Sequence, residues 1–231
     1  MTDITSTQLE ALRQIQTCAL ANAIETFNLR PRNTGFMSPK IKSMFPEMGG
    51  MAGYAVTAVI AADAPATENM NVPRGDWFEK ILEIPEPRVV VMHDLDAPNP
   101  VGSFWGEVQT NIHKRLGCVG TVTDGGIRDL DEMKEGGFNA FASDVLVSHG
   151  YIHIDDVNVP ITVGGLTVNP GDLIVGDQHG VLEVPKEIAA DLPEAVRKVE
   201  ERERNIIDHC NSEDFDLETL KKLVSKLNDI C

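Results

Sequence analysis

Apolar positions recur at helical spacing over residues 5–28: Leu9, Leu12, Ile15, Ala19 and Leu20, then Ala23, Ile24 and Phe27. The pattern predicts one long amphipathic helix. Residues 29–53 lose that period and carry Pro31, Pro39, Pro46 and the Gly49-Gly50 pair, which predicts a loop. Residues 54–61 (YAVTAVIA) are nearly all apolar, as a strand covered on both faces requires. A polar loop over 63–76, a short helix over 77–84 and a strand over 88–93 (RVVVMH) follow. A Pro- and Gly-rich loop then fills 94–106, and residues 107–116 read as helical. Residues 118–123 (CVGTVT) are a strand broken by Asp124-Gly125-Gly126. Residues 127–135 read as a helix stopped by Gly136-Gly137, and 139–143 as another strand. Such alternation predicts βαβ units.

The character changes from residue 151 to 185. Short apolar runs are separated by Gly164-Gly165, by Pro170-Gly171-Asp172 and by Asp177-Gln178-His179-Gly180, which predicts antiparallel strands. A charged helix is expected over 185–210. A final amphipathic helix carries Leu217, Leu220, Leu223, Val224 and Leu227, with Asp216 as its N-cap. The class is therefore α/β with mixed sheets. Residues 1–210 are expected to form one domain and 211–231 a C-terminal helical extension.

Composition narrows the function. Apolar residues make up 42%, enough for a real core. The net charge is −16, so the chain repels phosphate backbones. The longest basic cluster, Lys198 to Arg204, is interleaved with Glu200, Glu201 and Glu203, and nucleic acid is not an expected partner. Cys18, Cys118, Cys210 and Cys231 lie far apart with no CxxC, which predicts free thiols in a reducing compartment. The first residues lack a signal-peptide pattern, and no run approaches the roughly 18 apolar residues of a membrane span. A cytoplasmic protein is expected, without a membrane partner.

Two segments suit chemistry. In the first, a buried strand ends in Asp124-Gly125-Gly126, and Arg128-Asp129 then opens the expected helix. Ligands of α/β proteins bind at such carboxyl ends, and helix N-termini favour anions. Arg128 offers a fork for a carboxylate, and Asp129 a hard oxygen for Mg²⁺. The same residues also suit a plain turn and a solvated first helical turn. In the second segment, Gly102 to Glu107 (GSFWGE), Trp105 would wall a pocket and Glu107 hold a water, or the segment is a surface loop with a half-buried Trp. His149 and His153 have the spacing of a helical zinc pair, but their segment reads as turn and strand. G-x-S-x-G is absent, and the glycines at 49, 50 and 53 neither follow a strand nor open a helix. Lys80, Lys114 and Lys134 sit in polar helical patterns and read as surface residues.

These segments also carry a family pattern. Glu107, twenty residues, Arg128-Asp129, two residues and Glu132 make the first block. Gly164-Gly165 followed by VNPGDLIVGDQHGVLEVP from Val168 to Pro185 makes the second. With these motifs the chain, over residues 15–210, resembles the family of the 4-hydroxy-4-methyl-2-oxoglutarate aldolases and the regulators of ribonuclease activity A. The first acid is Glu107 where aldolases of the family often carry Asp.

The resemblance implies a swivelling β/β/α-type fold in trimers or hexamers, with sites between subunits. It implies a class II, metal-dependent carbon–carbon lyase that cleaves small 2-oxo acids to pyruvate and decarboxylates oxaloacetate. Asp129 would bind Mg²⁺ or Mn²⁺ directly, and Glu107 and Glu132 would orient its waters. Arg128 and the backbone N–H groups of Val108 and Gln109, with Gly106 beside them, would bind the substrate. A further acid would come from a neighbouring subunit, and it falls on Glu203 or Glu200. No organic cofactor is implied. The family's other branch implies the alternative, a non-catalytic protein that binds a ribonuclease.

Overall fold

The strand over residues 88–94 shows why this sheet is covered on both sides. Val89 and Val91 pack into one buried cluster with Met37, Ile41 and Phe141. Val90 and Met92 pack into another with Trp77, Trp105 and Phe138. Successive strand residues point to opposite faces, so a run of valines is apolar throughout only when both faces are buried.

The computed structural model describes residues 4–67 and 71–228. Helices α1 (Ser6–Gln14) and α2 (Thr17–Glu25) lead to strands β1 (Lys42–Ser43) and β2 (Met51–Ala61). The alternation continues through α3 (Arg74–Leu82), β3 (Arg88–Asp94), α4 (Glu107–Arg115) and β4 (Cys118–Thr123). Then come β5 (Gly126–Ile127), α5 (Leu130–Glu135), β6 (Asn139–Ala142) and β7 (Asp144–Val145). The second half holds β8 (His153–Val157), β9 (Ile161–Val163), β10 (Leu166–Val168), β11 (Leu173–Asp177) and β12 (Gly180–Val184). Helices α6 (Leu192–Cys210) and α7 (Leu217–Asn228) end the described chain.

The main sheet has the order β1-β6-β4-β3-β2-β11-β12, and its centre, β6-β4-β3-β2, is parallel. β2 is long enough to share its far edge. Its first residues pair antiparallel with β11, and its last with β8. Residues 36–43 touch β12 at Phe36 and β6 through β1, so one segment links the two edges of a nearly closed mixed sheet. Helices α3, α4 and α5 cover one face; α1, α2 and α6 pack over β11 and β12. The mixed α/β class and the antiparallel second half match the sequence reading.

Several boundaries differ. The expected helix over 5–28 is two helices, because Ile15 and Gln16 are extended. The second one starts on a distant cap: the Asp177 carboxylate accepts from Thr17 N–H at 2.9 Å and from Thr17 Oγ1 at 2.7 Å. The helix expected over 127–135 begins only at Leu130, because Ile127 pairs as a strand and Asp129 has φ 53°. Residues between Pro185 and Leu192 form turns, and α6 starts later than its charge pattern. Asp216 does cap α7, accepting from Thr219 N–H at 2.9 Å. Cys18, Cys118 and Cys210 are free thiols, while Cys231 and the side chain of Leu227 lie outside the described residues. Among the described residues no helix is long and apolar enough to cross a membrane.

Candidate active site

The glycine-rich turn after β4 is pinned before it reaches Arg128. His93 donates its Nδ1–H to Asp124 Oδ2 at 2.8 Å, and the Asp94 N–H donates to Asp124 Oδ1 at 2.8 Å. Asp94 itself is buried, and a Cβ on Gly125 would lie 2.5 Å from its Oδ2. Burial foremost, together with the neighbouring Asp96 and Asp124, pushes the Asp94 carboxyl up to about 6. Asp124 raises His93 in turn by accepting its hydrogen bond.

The loop before α4 is strapped to this turn. Ser103 Oγ lies 2.7 Å from the Trp105 carbonyl and 2.8 Å from that of Gly126. Arg128 N–H donates to the Trp105 carbonyl at 3.2 Å. Trp105 is fully buried against Phe104, His113 and Phe138. It is a core residue, not the pocket wall or half-buried loop side chain expected from sequence, since packing beneath α4 removes it from solvent.

These straps set Asp129 against the start of α4. Its Oδ2 accepts from Glu107 N–H at 3.0 Å. A Cβ on Gly106 would lie 2.5 Å from that oxygen, so the carboxylate fits only because residue 106 is glycine. Asp129 holds a left-handed backbone, φ 53° and ψ 50°, which is sparsely populated for any residue but glycine. Arg128 Nε is 3.8 Å from Asp129 Oδ2, too far for a hydrogen bond, and its side chain is about one-third exposed. The N–H groups at the open end of the nine-residue α4 have no partner within the helix. The helix start beside Asp129 is that of α4, which carries Val108 and Gln109 as the family resemblance implies, while the helix start expected from Arg128-Asp129 is only the six-residue α5.

A cavity of about 420 Å³ opens here. Its lining brings together Gly106, Val108, Gln109, Arg128 and Asp129 as the sequence pattern groups them. Gln109 adds a buried Oε1 with no partner among the described residues. Glu107 and Glu132 are exposed and lie outside this lining. Glu200 and Glu203 belong to a separate groove along α6, where Asn22 Nδ2 donates to Glu203 Oε1 at 3.3 Å.

Three polar lining residues, Arg74, Ser103 and Tyr151, are not singled out by the sequence reading, and a fourth, His149, is assigned there to another role. His149 entered it only as a zinc partner of His153. In the structure His153 pairs with Asp155 at 3.1 Å, while His149 donates Nδ1–H to the Gly150 carbonyl at 2.7 Å. Among the described residues no group of three or more His, Cys, Asp or Glu gathers around a cation position. The donor set still suits a hard cation that keeps most of its waters, since such an ion needs only one or two carboxylates. Asp129 supplies one carboxylate, seated in a cradle that a side chain at 106 would fill.

Relatives place this geometry in context. The chain is 34% identical over 140 residues to "Uncharacterized protein MJ0644" of Methanocaldococcus jannaschii, a match covering 59% of this chain and 67% of that one. It is 37% identical over 109 residues to a Halalkalibacterium halodurans protein named "Putative 4-hydroxy-4-methyl-2-oxoglutarate aldolase". That match covers 45% of this chain, which spans about half of the relative, 52%. A solved structure of an uncharacterized protein from Pseudomonas syringae superposes with TM-score 0.72 at 26% identity, covering 96% of this chain and 95% of the other. The family model described as "RraA-like: Aldolase/RraA" matches residues 17–182, a stretch that contains the first sequence block, the second as far as Leu182 and every residue of the cavity, and the chain belongs to that family.

Proposed function

We propose that the protein is a divalent-metal-dependent aldolase and decarboxylase of small 2-oxo acids. One observation carries the reading. Arg128 and Asp129 share a cavity with the open start of α4, and Asp129 keeps a strained backbone and a seat that only glycine at 106 permits. Asp129 is the residue to hold Mg²⁺ or Mn²⁺, with Glu107 and Glu132 as outer carboxylates. The ion, when bound, supplies Lewis-acid stabilisation of negative charge on the 2-oxo oxygen.

The chain's own groups do the rest. Arg128 binds the substrate carboxylate as a planar fork. The N–H groups of Val108 and Gln109 add donors at the same end. Loss of the C4 hydroxyl proton toward Glu107, through solvent, lets the C3–C4 bond break. Its electron pair passes to the pyruvate fragment as an enolate, which then takes a proton at C3. Arg128 stabilises this anion as it develops, and charge stabilisation at that moment lowers the barrier. Loss of CO₂ from oxaloacetate leaves the same enolate. Glu203, with Glu200 beside it, is the acid proposed to reach a neighbouring subunit's site in a trimer or hexamer.

The test is pyruvate release from 4-hydroxy-4-methyl-2-oxoglutarate and from oxaloacetate, with Mg²⁺ and with EDTA. Metal-dependent release is expected from at least one. Arg128→Ala and Asp129→Ala should each lower kcat/KM by about 10²-fold or more. Near-normal turnover in either variant removes the assignment. A second reading has its own observation. Val145, Val147 and Tyr151 expose apolar side chains on the segment that brings His149 to the cavity. Such a segment suits a protein contact, as in a binding-only regulator. Ribonuclease inhibition by a folded, metal-loaded protein that releases no pyruvate would favour it.

A further inference from the structure

Arg74 opens α3 and lines the same cavity as Arg128 and Asp129. The lining thus holds two guanidinium groups and one carboxylate. Among the described residues the Arg74 side chain has no ion pair and no hydrogen bond, in a chain with 36 acidic residues against 20 basic ones. Several surface cations among the described residues lack an ion pair, but Arg74 is the one that lines this cavity with Arg128, where a second guanidinium suits an anionic ligand.

Its position is held by buried contacts. Val72 N–H donates to the Ile154 carbonyl at 2.7 Å, which seats the approach to α3 against β8. Trp77, three residues after Arg74, is buried and donates its indole N–H to His113 Nε2 at 3.0 Å. His113 in turn donates Nδ1–H to the Gln109 carbonyl at 2.7 Å. Gln109 lines the cavity. A chain of buried polar contacts therefore ties the turn that carries Arg74 to the helix start that carries the proposed oxo-acid donors.

We propose that Arg74 binds the far carboxylate of a dicarboxylic 2-oxo acid whose near carboxylate lies on Arg128. The proposal rests on the oxo-acid reading and names the residue that recognises the second carboxylate its substrates carry. Arg suits the task because its fork matches a carboxylate and its charge is permanent. Arg74 is exposed at the rim, so an acid without a second carboxylate leaves it solvated at little cost. Preference for the diacid then comes from the added ion pair, at about tenfold in affinity.

Calorimetric titration of the intact chain with Mg²⁺ tests this. The ligands are 2-oxoglutarate and 2-oxopentanoate, which match in length and differ in the far carboxylate. Arg74→Ala should weaken 2-oxoglutarate about tenfold and leave 2-oxopentanoate within about twofold. Arg74→Lys should retain part of the preference, and Arg128→Ala should weaken both acids. Near-UV circular dichroism checks that each variant is folded. Equal effects of Arg74→Ala on both acids, or none on either, overturn the assignment while the oxo-acid reading stands. Failure of both acids to bind the wild type overturns the two together.

Discussion

At the scale of single residues, Gly106 is the sharpest point of the site. Its φ of −175° is ordinary extended backbone, so alanine meets no conformational strain there. What alanine meets is the Asp129 carboxylate, 2.5 Å from the new Cβ. Gly106→Ala therefore acts through space alone, and it must shift the Asp129 carboxylate or the start of α4. Misplacement of a reacting group by about 1 Å costs on the order of 10²-fold in rate. The expected outcome is that loss in kcat/KM for pyruvate release, with an unchanged near-UV spectrum. A fully active Gly106→Ala protein would show that the position of Asp129 is not critical. The family pattern names Arg128 and Asp129 directly, and the resemblance brings in Gly106 beside Glu107. Arg74 is far from that motif in sequence, and neither periodicity nor spacing separates it from any surface arginine. Trp105 is misread for a related reason: its burial depends on Phe138 and His113, partners a local window does not contain.

At the scale of elements, β4 and the core of β2 and β3 are legible because strands buried on both faces are continuously apolar. The ends of helices are legible only where the cap is local. Asp216 is read correctly as the cap of α7, since the cap and the capped Thr219 are three residues apart. The break between α1 and α2 is not, because its cap, Asp177, is 160 residues away. The tie between α3 and α4 is equally nonlocal and makes a pH prediction. Trp77 can only donate, so His113 Nε2 accepts and the proton sits on Nδ1. Burial first, opposed by the bond to Gln109 and aided by the charge of Arg74, pushes His113 down to about 4. Between the ordinary histidine value near 6.5 and about 4, the unfolded chain takes up a proton that the folded chain refuses. The contribution of neutral His113 to stability is therefore complete above that window and is lost as pH falls through it. His113→Gln removes the titration. The stability difference between wild type and His113→Gln, from urea unfolding, should shift against the wild type by on the order of 3 kcal/mol from pH 7 to pH 4. A difference that does not change with pH would mean that His113 titrates alike in the folded and unfolded chain, and a shift in favour of the wild type would mean that it is charged in the fold.

At the scale of the whole molecule, the three buried clusters decide which parts the fold needs. Among the described residues, Val196 is the last to belong to any of them. The rest of α6 and all of α7 lie outside the core. The turn into α7 rests on α6 through the His209–Phe215 ring contact and the bond from His209 Nε2–H to the Asp216 carbonyl at 2.9 Å. The helix still exposes Leu217 and Val224, and Phe215 just before it is exposed too. The periodicity of leucines made this helix legible in the sequence, but nothing in a periodic pattern says what covers its apolar side. An amphipathic helix with that side half open is suited to pack against another copy of the chain. Removal of residues 212–231 should then leave the sheet and cavity folded, with far-UV helicity reduced and Tm within a few degrees of the wild type. Light scattering should report a smaller assembly than for the full chain. Pyruvate release should persist per folded site to the extent that Glu200 and Glu203, which the truncation retains, still reach a neighbouring subunit. An unchanged assembly would move the interface to another surface, and the exposed segment with Val145 and Val147 would be the next to alter. Loss of the cooperative unfolding transition would instead show that α7 supports the core through α6, against the placement of its residues outside all three clusters.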